Sequence, residues 1–165
     1  MNHTHESRGD VVTRDEIVVI GIAARTSNRA EMAGAGALPA LRERFWVDGV
    51  AASIPNRTNA RQTVAVYCDY EGDETGAYTL IVGYEVSEAT AVPYGMVSRR
   101  VPAARYRAVS TERGRLPDVA GAAWRRIWND TALEARRAFV ADIEVYGEDA
   151  VDPENARFDI LIGLK

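Results

Sequence analysis

The sequence predicts an α+β fold. A strand-helix-strand-strand module is used twice, closing into a curved antiparallel sheet with two main helices on one face and a central ligand groove. Three observations carry this. Tyr78-Thr79-Leu80-Ile81-Val82-Gly83 repeats the apolar alternation of Phe158-Asp159-Ile160-Leu161-Ile162-Gly163. The strands before them match loosely, Tyr67-Cys68-Asp69-Tyr70 against Ile143-Glu144-Val145-Tyr146. Each strand pair also follows a helix with an apolar stripe.

The elements follow in order. Residues 1–13 are polar and read as a disordered tail, leaving residues 14–165 as a single domain with halves at about 14–86 and 98–165. Asp15 to Ala24 is a β-branched run bounded by polar residues, hence a buried strand. Glu31 to Trp46 reads as a helix, or a turn and then a helix, with Pro39 in the first turn and Leu38, Leu41 and Phe45 on one face. Arg61–Tyr70 and Ala77–Glu85 form a hairpin around Glu71-Gly72-Asp73-Glu74-Thr75-Gly76. Tyr78, Leu80, Val82 and Tyr84 share one face of its second strand. Residues 87–97 are a connection. Arg105–Thr111 is a strand, and Pro117 to about Asn129 is a helix with Ala120, Trp124, Ile127 and Trp128 as its stripe. Arg137–Tyr146 and Ala156–Leu164 close the second half. A pseudo-twofold pairing of two such halves leaves a concavity near the axis, a natural place for a ligand.

Composition narrows the function classes. A chain of 165 residues, 47% apolar and 27% charged, builds one ordinary globular core. The net charge of −4 offers no basic footprint for nucleic acid. All the basic residues but Lys165 are arginine, which reads as composition bias. No apolar run is long enough for a membrane helix, and the polar N-terminus lacks an export core, so a cytoplasmic protein is expected. Cys68, the only cysteine, sits mid-strand without a base beside it and reads as a buried, inert thiol. The only histidines, His3 and His5, lie in the tail, which argues against a histidine-based catalytic set or a metal centre. No cofactor is expected.

Glu144 is the informative residue. It stands mid-strand in Asp142-Ile143-Glu144-Val145-Tyr146. A carboxylate removed from water is costly unless paired. If it points into a pocket, it favours a ligand that brings a positive charge. The alternatives are a solvent-facing acid, or one paired with an arginine such as Arg137, and these are the commoner fates. Trp124 and Trp128 lie one turn apart and can face one way. Tyr67, Tyr70, Tyr84, Tyr146 and Trp46 are further candidates for an aromatic wall, since aromatic faces attract organic cations by roughly 0.5–2 kcal/mol per contact. A tryptophan on an apolar stripe also reads as plain core, above all Trp124.

The motifs resemble those of the GyrI-like effector-binding domains, which occur at the C-terminus of AraC-type and MerR-type multidrug regulators and as standalone proteins. Val101-Pro102-Ala103-Ala104-Arg105-Tyr106, Trp124-Arg125-Arg126-Ile127-Trp128, Asp142-Ile143-Glu144-Val145-Tyr146 and Asp152-Pro153-Glu154-Asn155 carry the resemblance in the second half. Val18 to Thr26 and Tyr67-Cys68-Asp69-Tyr70-Glu71 carry it in the first. The resemblance implies the duplicated fold above, a multidrug-type pocket for hydrophobic cations, and Glu144 as the pocket glutamate. The expected ligand set is Glu144, Trp128, Tyr146, Tyr67, Trp124, Tyr84 and Trp46. Ile143, where the family often has an aromatic, is expected to alter the pocket wall. This reading requires that no guanidinium already engages the Glu144 carboxylate.

The partner expected is a cationic, hydrophobic small molecule. The residues before the first strand are too few for a helix-turn-helix unit, so direct DNA binding is not expected. Two alternatives stand beside binding. One is hydrolysis of strained electrophiles by Glu144 and Tyr146. The other, implied by a gyrase-inhibiting relative, is a protein partner held by the acidic loop Glu71–Glu74.

Overall fold

The computed structural model describes residues 10–47 and 49–165. In chain order the elements are β1 (Val11–Arg14), β2 (Ile17–Ser27), α1 (Asn28–Met32), α2 (Leu38–Val47), β3 (Thr63–Cys68), β4 (Ala77–Val86), β5 (Val97–Val101), β6 (Ala104–Ser110), α3 (Leu116–Asn129), α4 (Thr131–Glu134), β7 (Arg137–Tyr146) and β8 (Asp159–Leu164). All these strands join one antiparallel sheet in the order β1-β6-β8-β7-β3-β4-β2-β5. The α+β fold with a duplicated module is as expected.

Two short links dictate the shape. Only Asp15 and Glu16 separate β1 from β2, yet these strands stand six places apart in the sheet order. Laid flat they would be about 29 Å apart, at about 4.8 Å per strand. The peptide steps from Arg14 to Ile17 reach about 11 Å at most. Pro102 and Ala103 impose the same constraint on β5 and β6. The sheet therefore curls into a half-barrel. The face it closes upon is packed by strand residues alone, among them Val19, Val64, Val66, Ile81, Ile143 and Leu161. The opposite face carries the helices. Leu41 and Phe45 of α2 cover the first half, and Val119, Ala123 and Ile127 of α3 cover the second.

β1 and β5 were not expected as strands. The domain begins at Val11, not residue 14, and the connection after β4 ends at Val97. Both are edge strands that carry arginine and are mostly exposed, so they lack the apolar alternation that reveals a strand. Residues 1–9 of the expected tail lie outside the described residues. The expected match of Cys68 with Glu144 is off by one position. Val66 pairs with Ile81, and Ile143 pairs with Leu161, so aligning Ile81 with Leu161 makes Tyr67 the counterpart of Glu144. A slip of one residue moves a side chain to the other face. Cys68 indeed packs on the closed face, while Glu144 looks toward the helices.

Gly21 and Gly83 are paired where β2 crosses β4. A Cβ at Gly83 would collide with the carbonyl oxygen of Ile20, and one at Gly21 with that of Val82. These obstacles are backbone and do not swing aside. Gly83→Ala is expected to cost about 3 kcal/mol in urea unfolding. Gly72→Ala, where an added methyl meets nothing, should stay within about 0.5 kcal/mol.

Candidate functional site

The two halves meet where β3 pairs with β7, and there Glu144 stands opposite Ala65. Only a methyl group competes with the carboxylate for space. Helix α3 approaches from one side and α1 and α2 from the other, leaving a cavity of about 170 Å³ between them.

One wall is a run of rings in mutual contact. Tyr70 to Tyr78 is 5.9 Å between centroids, Tyr78 to Tyr67 5.4 Å, Tyr67 to Trp124 5.1 Å and Trp124 to Trp128 6.1 Å. All five residues line the cavity, and Leu38, Met32 and Ala120 add aliphatic surface. Small residues on α3 make the room: Gly121 also lines the cavity, one turn before Trp124.

Glu144 lies at the floor, 1% exposed. The Tyr67 hydroxyl donates to its Oε1 at 2.8 Å, and the Trp124 indole Nε1 donates to Oε2 at 3.1 Å. Burial, reinforced by the Glu144 charge, pushes the Tyr67 hydroxyl well above the usual tyrosine range, so it remains a donor. The expectation of an acid free of any guanidinium is corrected here. Arg42 of α2 places Nη2 3.4 Å from Oε1, and its Nη1 donates to the Tyr146 hydroxyl at 3.3 Å. Both contacts are longer than the roughly 2.7–2.9 Å of a well-made charge-assisted bond. The Arg42 side chain is also 35% exposed.

Arg137, the arginine considered as a partner for Glu144, is engaged elsewhere. Its Nη2 donates to Asp142 Oδ2 at 2.8 Å. Asp142 also accepts from the Tyr70 hydroxyl and from the Gly163 amide at 2.9 Å. A bulge in β7, with Phe139 at φ 53°, brings Arg137 back over Asp142, and the guanidinium stacks on the Phe139 ring at 4.3 Å. Three donors on one carboxylate offset the cost of burying it.

The structure gathers Glu144, Tyr67, Trp124 and Trp128 of the expected set around the cavity. Tyr146 stands behind it. Its ring stacks on Phe158 at 4.5 Å, and its hydroxyl holds Arg42. Two expected members do not line the cavity. Tyr84 lies about 20 Å along β4 from Tyr78, at about 3.3 Å per residue, and packs under Phe45 and Arg57. Trp46 is 60% exposed, because Leu41 and Phe45 take the sheet-facing stripe of α2. Ile143 does not touch the pocket wall, since it faces the closed side of the sheet. Tyr78 and Arg42 were missed. Tyr78 sits diagonally across the strand pair from Tyr67, a neighbour that aromatic rings reach. Arg42 lies one turn beyond Leu38, so both fall on the same side of α2.

The match of sequence to family rests on residues 10–164, which fit the model described as Cass2, integron-associated effector binding protein. The chain belongs to this family. The YobU protein of Bacillus subtilis (strain 168), a candidate transcriptional regulator, is 28% identical over 147 residues, covering 88% of this chain and 90% of YobU. An integron cassette protein from the mobile metagenome of Vibrio cholerae superimposes with a TM-score of 0.75 at 26% identity, over 96% of this chain and 97% of that one. SAV2435, solved bound to tetraphenylphosphonium, shares the fold with a TM-score of 0.78 at 10% identity, over 95% and 93%. As a member of the Cass2 family the chain is an effector-binding protein. Among the described residues no helix is long and apolar enough to cross a membrane.

Cys68 stands apart from this site. Burial, with help from the Asp69 charge, pushes its thiol up to about 11. Thiolate is then scarce at neutral pH. Alkylation by iodoacetamide at pH 7.5 should run about 100-fold slower in the folded protein than in the denatured chain, and should quicken as the pH rises toward 11.

Proposed function

We propose that this protein binds hydrophobic organic cations in the cytoplasm, with Glu144 as counter-charge and the Tyr70-Tyr78-Tyr67-Trp124-Trp128 wall as apolar surface. It acts as a binding module, without turnover and without reading DNA itself. The observation that supports this best is the carboxylate on the cavity floor. Its two short hydrogen bonds come from uncharged donors, and among the described residues the cation paired with it stands at 3.4 Å. The Arg42 contact fails the condition set from the sequence, and the counter-charge stands instead on the length of that contact, since the two short donors are neutral and leave the carboxylate's charge poorly balanced. A ligand cation supplies that balance and covers aromatic faces at the same time. Glu74 also lines the cavity, and so does Glu31. Glu31 is already committed to the Thr26 hydroxyl and to the amides that open α2. The tetraphenylphosphonium held by SAV2435 is a ligand of this chemical kind.

Turnover finds less support. Burial, then the Glu144 charge, raises the Tyr146 hydroxyl above its ordinary range, so that it does not lose a proton near neutral pH. That hydroxyl is also occupied by Arg42.

Glu144→Gln keeps the shape and removes the charge. It should weaken tetraphenylphosphonium by about 10- to 100-fold, the worth of a hydrogen-bonded buried charge, and triphenylphosphine oxide, which is neutral, by far less. Tryptophan quenching or calorimetry reads both. Equal losses for the two ligands would reject the counter-charge.

A further inference from the structure

We infer that Arg42 is a resident cation that the ligand must displace, so that binding is an exchange of one positive charge for another at Glu144. The inference rests on the counter-charge reading above and adds the residue that sets its threshold.

The geometry has three parts. First, Arg42 reaches Glu144 from α2, outside the sheet, whereas Tyr67 and Trp124 are fixed by a central strand and by α3. Second, its two contacts are the longest at the site, 3.4 Å to Glu144 and 3.3 Å to Tyr146, and neither is paired into the parallel fork that an arginine makes with a carboxylate. Third, a third of its side chain already meets solvent, so the guanidinium can leave by rotating about its own bonds, without moving the backbone.

Displacement also answers a question of size. The cavity of about 170 Å³ is smaller than the roughly 300–1,000 Å³ of pockets that hold drug-sized molecules. Arg42 lines it, and the side chain's departure enlarges it where the charge of the ligand must sit. At rest, Arg42 offsets part of the cost of burying Glu144. In the complex the ligand takes over that role and the guanidinium is hydrated.

The exchange makes a selective device. A small cation gains only what Arg42 gave up, so it has no advantage. A cation with broad aromatic or aliphatic surface gains the wall as well and wins. Neutral ligands leave Arg42 in place and compete with nothing. Arg42 thus screens out small cations and admits those with enough apolar surface to outweigh the lost ion pair.

The test compares Arg42→Met, Arg42→Gln and Glu144→Gln with the parent protein, using tetraphenylphosphonium and triphenylphosphine oxide. Arg42→Met and Arg42→Gln remove the competitor, and should tighten tetraphenylphosphonium by about 3- to 5-fold, the upper range of an exposed ion pair. Triphenylphosphine oxide should change less than about 2-fold. In the double variant with Glu144→Gln the gain should vanish, because the two charges act on each other. If Glu144→Gln weakens the cation but neither Arg42 variant tightens it, Arg42 is no competitor and the inference fails while the counter-charge stands. If Glu144→Gln leaves the cation untouched, the counter-charge fails and the exchange falls with it.

Discussion

The pairing of β3 with β7 is the constraint on which the rest depends. It joins the two halves of the chain and places Tyr67 and Glu144 at counterpart positions beside the pseudo-twofold axis. Both side chains look toward the helices because the opposite face is filled by strand residues as the sheet curls on itself. A symmetric framework thus brings a hydroxyl from one half to a carboxylate from the other. The asymmetry of residue type at equivalent positions makes a polar pole within an aromatic wall. Its position follows from backbone register, which a ligand cannot easily disturb.

β7 carries two buried acids on one face, and their environments assign them different work. Asp142 has a guanidinium at 2.8 Å, a tyrosine hydroxyl and a backbone amide, so its oxygens are fully used. It ties β7 to β8 across the bulge and holds the Tyr70 ring in the wall. Glu144, two residues on, has a tyrosine and an indole at short range and a guanidinium at long range. The difference is one of commitment. Breaking the Asp142 set would leave Arg137, with two nitrogens already lacking hydrogen-bond partners, buried with only the Glu134 carboxylate at 3.9 Å to balance it. Loosening Arg42 from Glu144 exposes a side chain that is already partly in water.

Legibility in the sequence followed burial. The strands with apolar alternation and the two amphipathic helices were readable, because the pattern that buries them is the pattern the eye finds. β1 and β5 were not, since edge strands in this sheet are charged and gain their place from a partner distant in sequence. Glu144 stood out as an acid within an apolar strand, and Tyr67 as an aromatic on the neighbouring one. Tyr84 and Tyr78 share a strand face by alternation, but only the distance along β4 separates the core residue from the pocket residue, and periodicity does not fix where the axis falls. Trp124 and Trp128 were read as one stripe with Ile127. The helix in fact presents Val119, Ala123 and Ile127 to the core and Ala120, Gly121, Trp124 and Trp128 to the cavity. Arg42 was hidden for a different reason. In a chain whose basic residues are almost all arginine, nothing local distinguishes those that turn inward.

That hidden residue bears on why the site uses charge at all. An aromatic cavity alone binds by area, and area discriminates weakly between greasy molecules. A buried acid adds discrimination but carries a folding cost in the empty protein. A loosely held internal cation reduces that cost while keeping the acid exchangeable. In the proposed exchange the same guanidinium that steadies the resting state would raise the demand on the incoming ligand, both effects arising from one ion pair between α2 and β7. On that proposal, stability of the empty site and selectivity of the occupied one would be coupled through that contact. A tighter pair, such as the one at Asp142, would have given a more rigid core and no pocket.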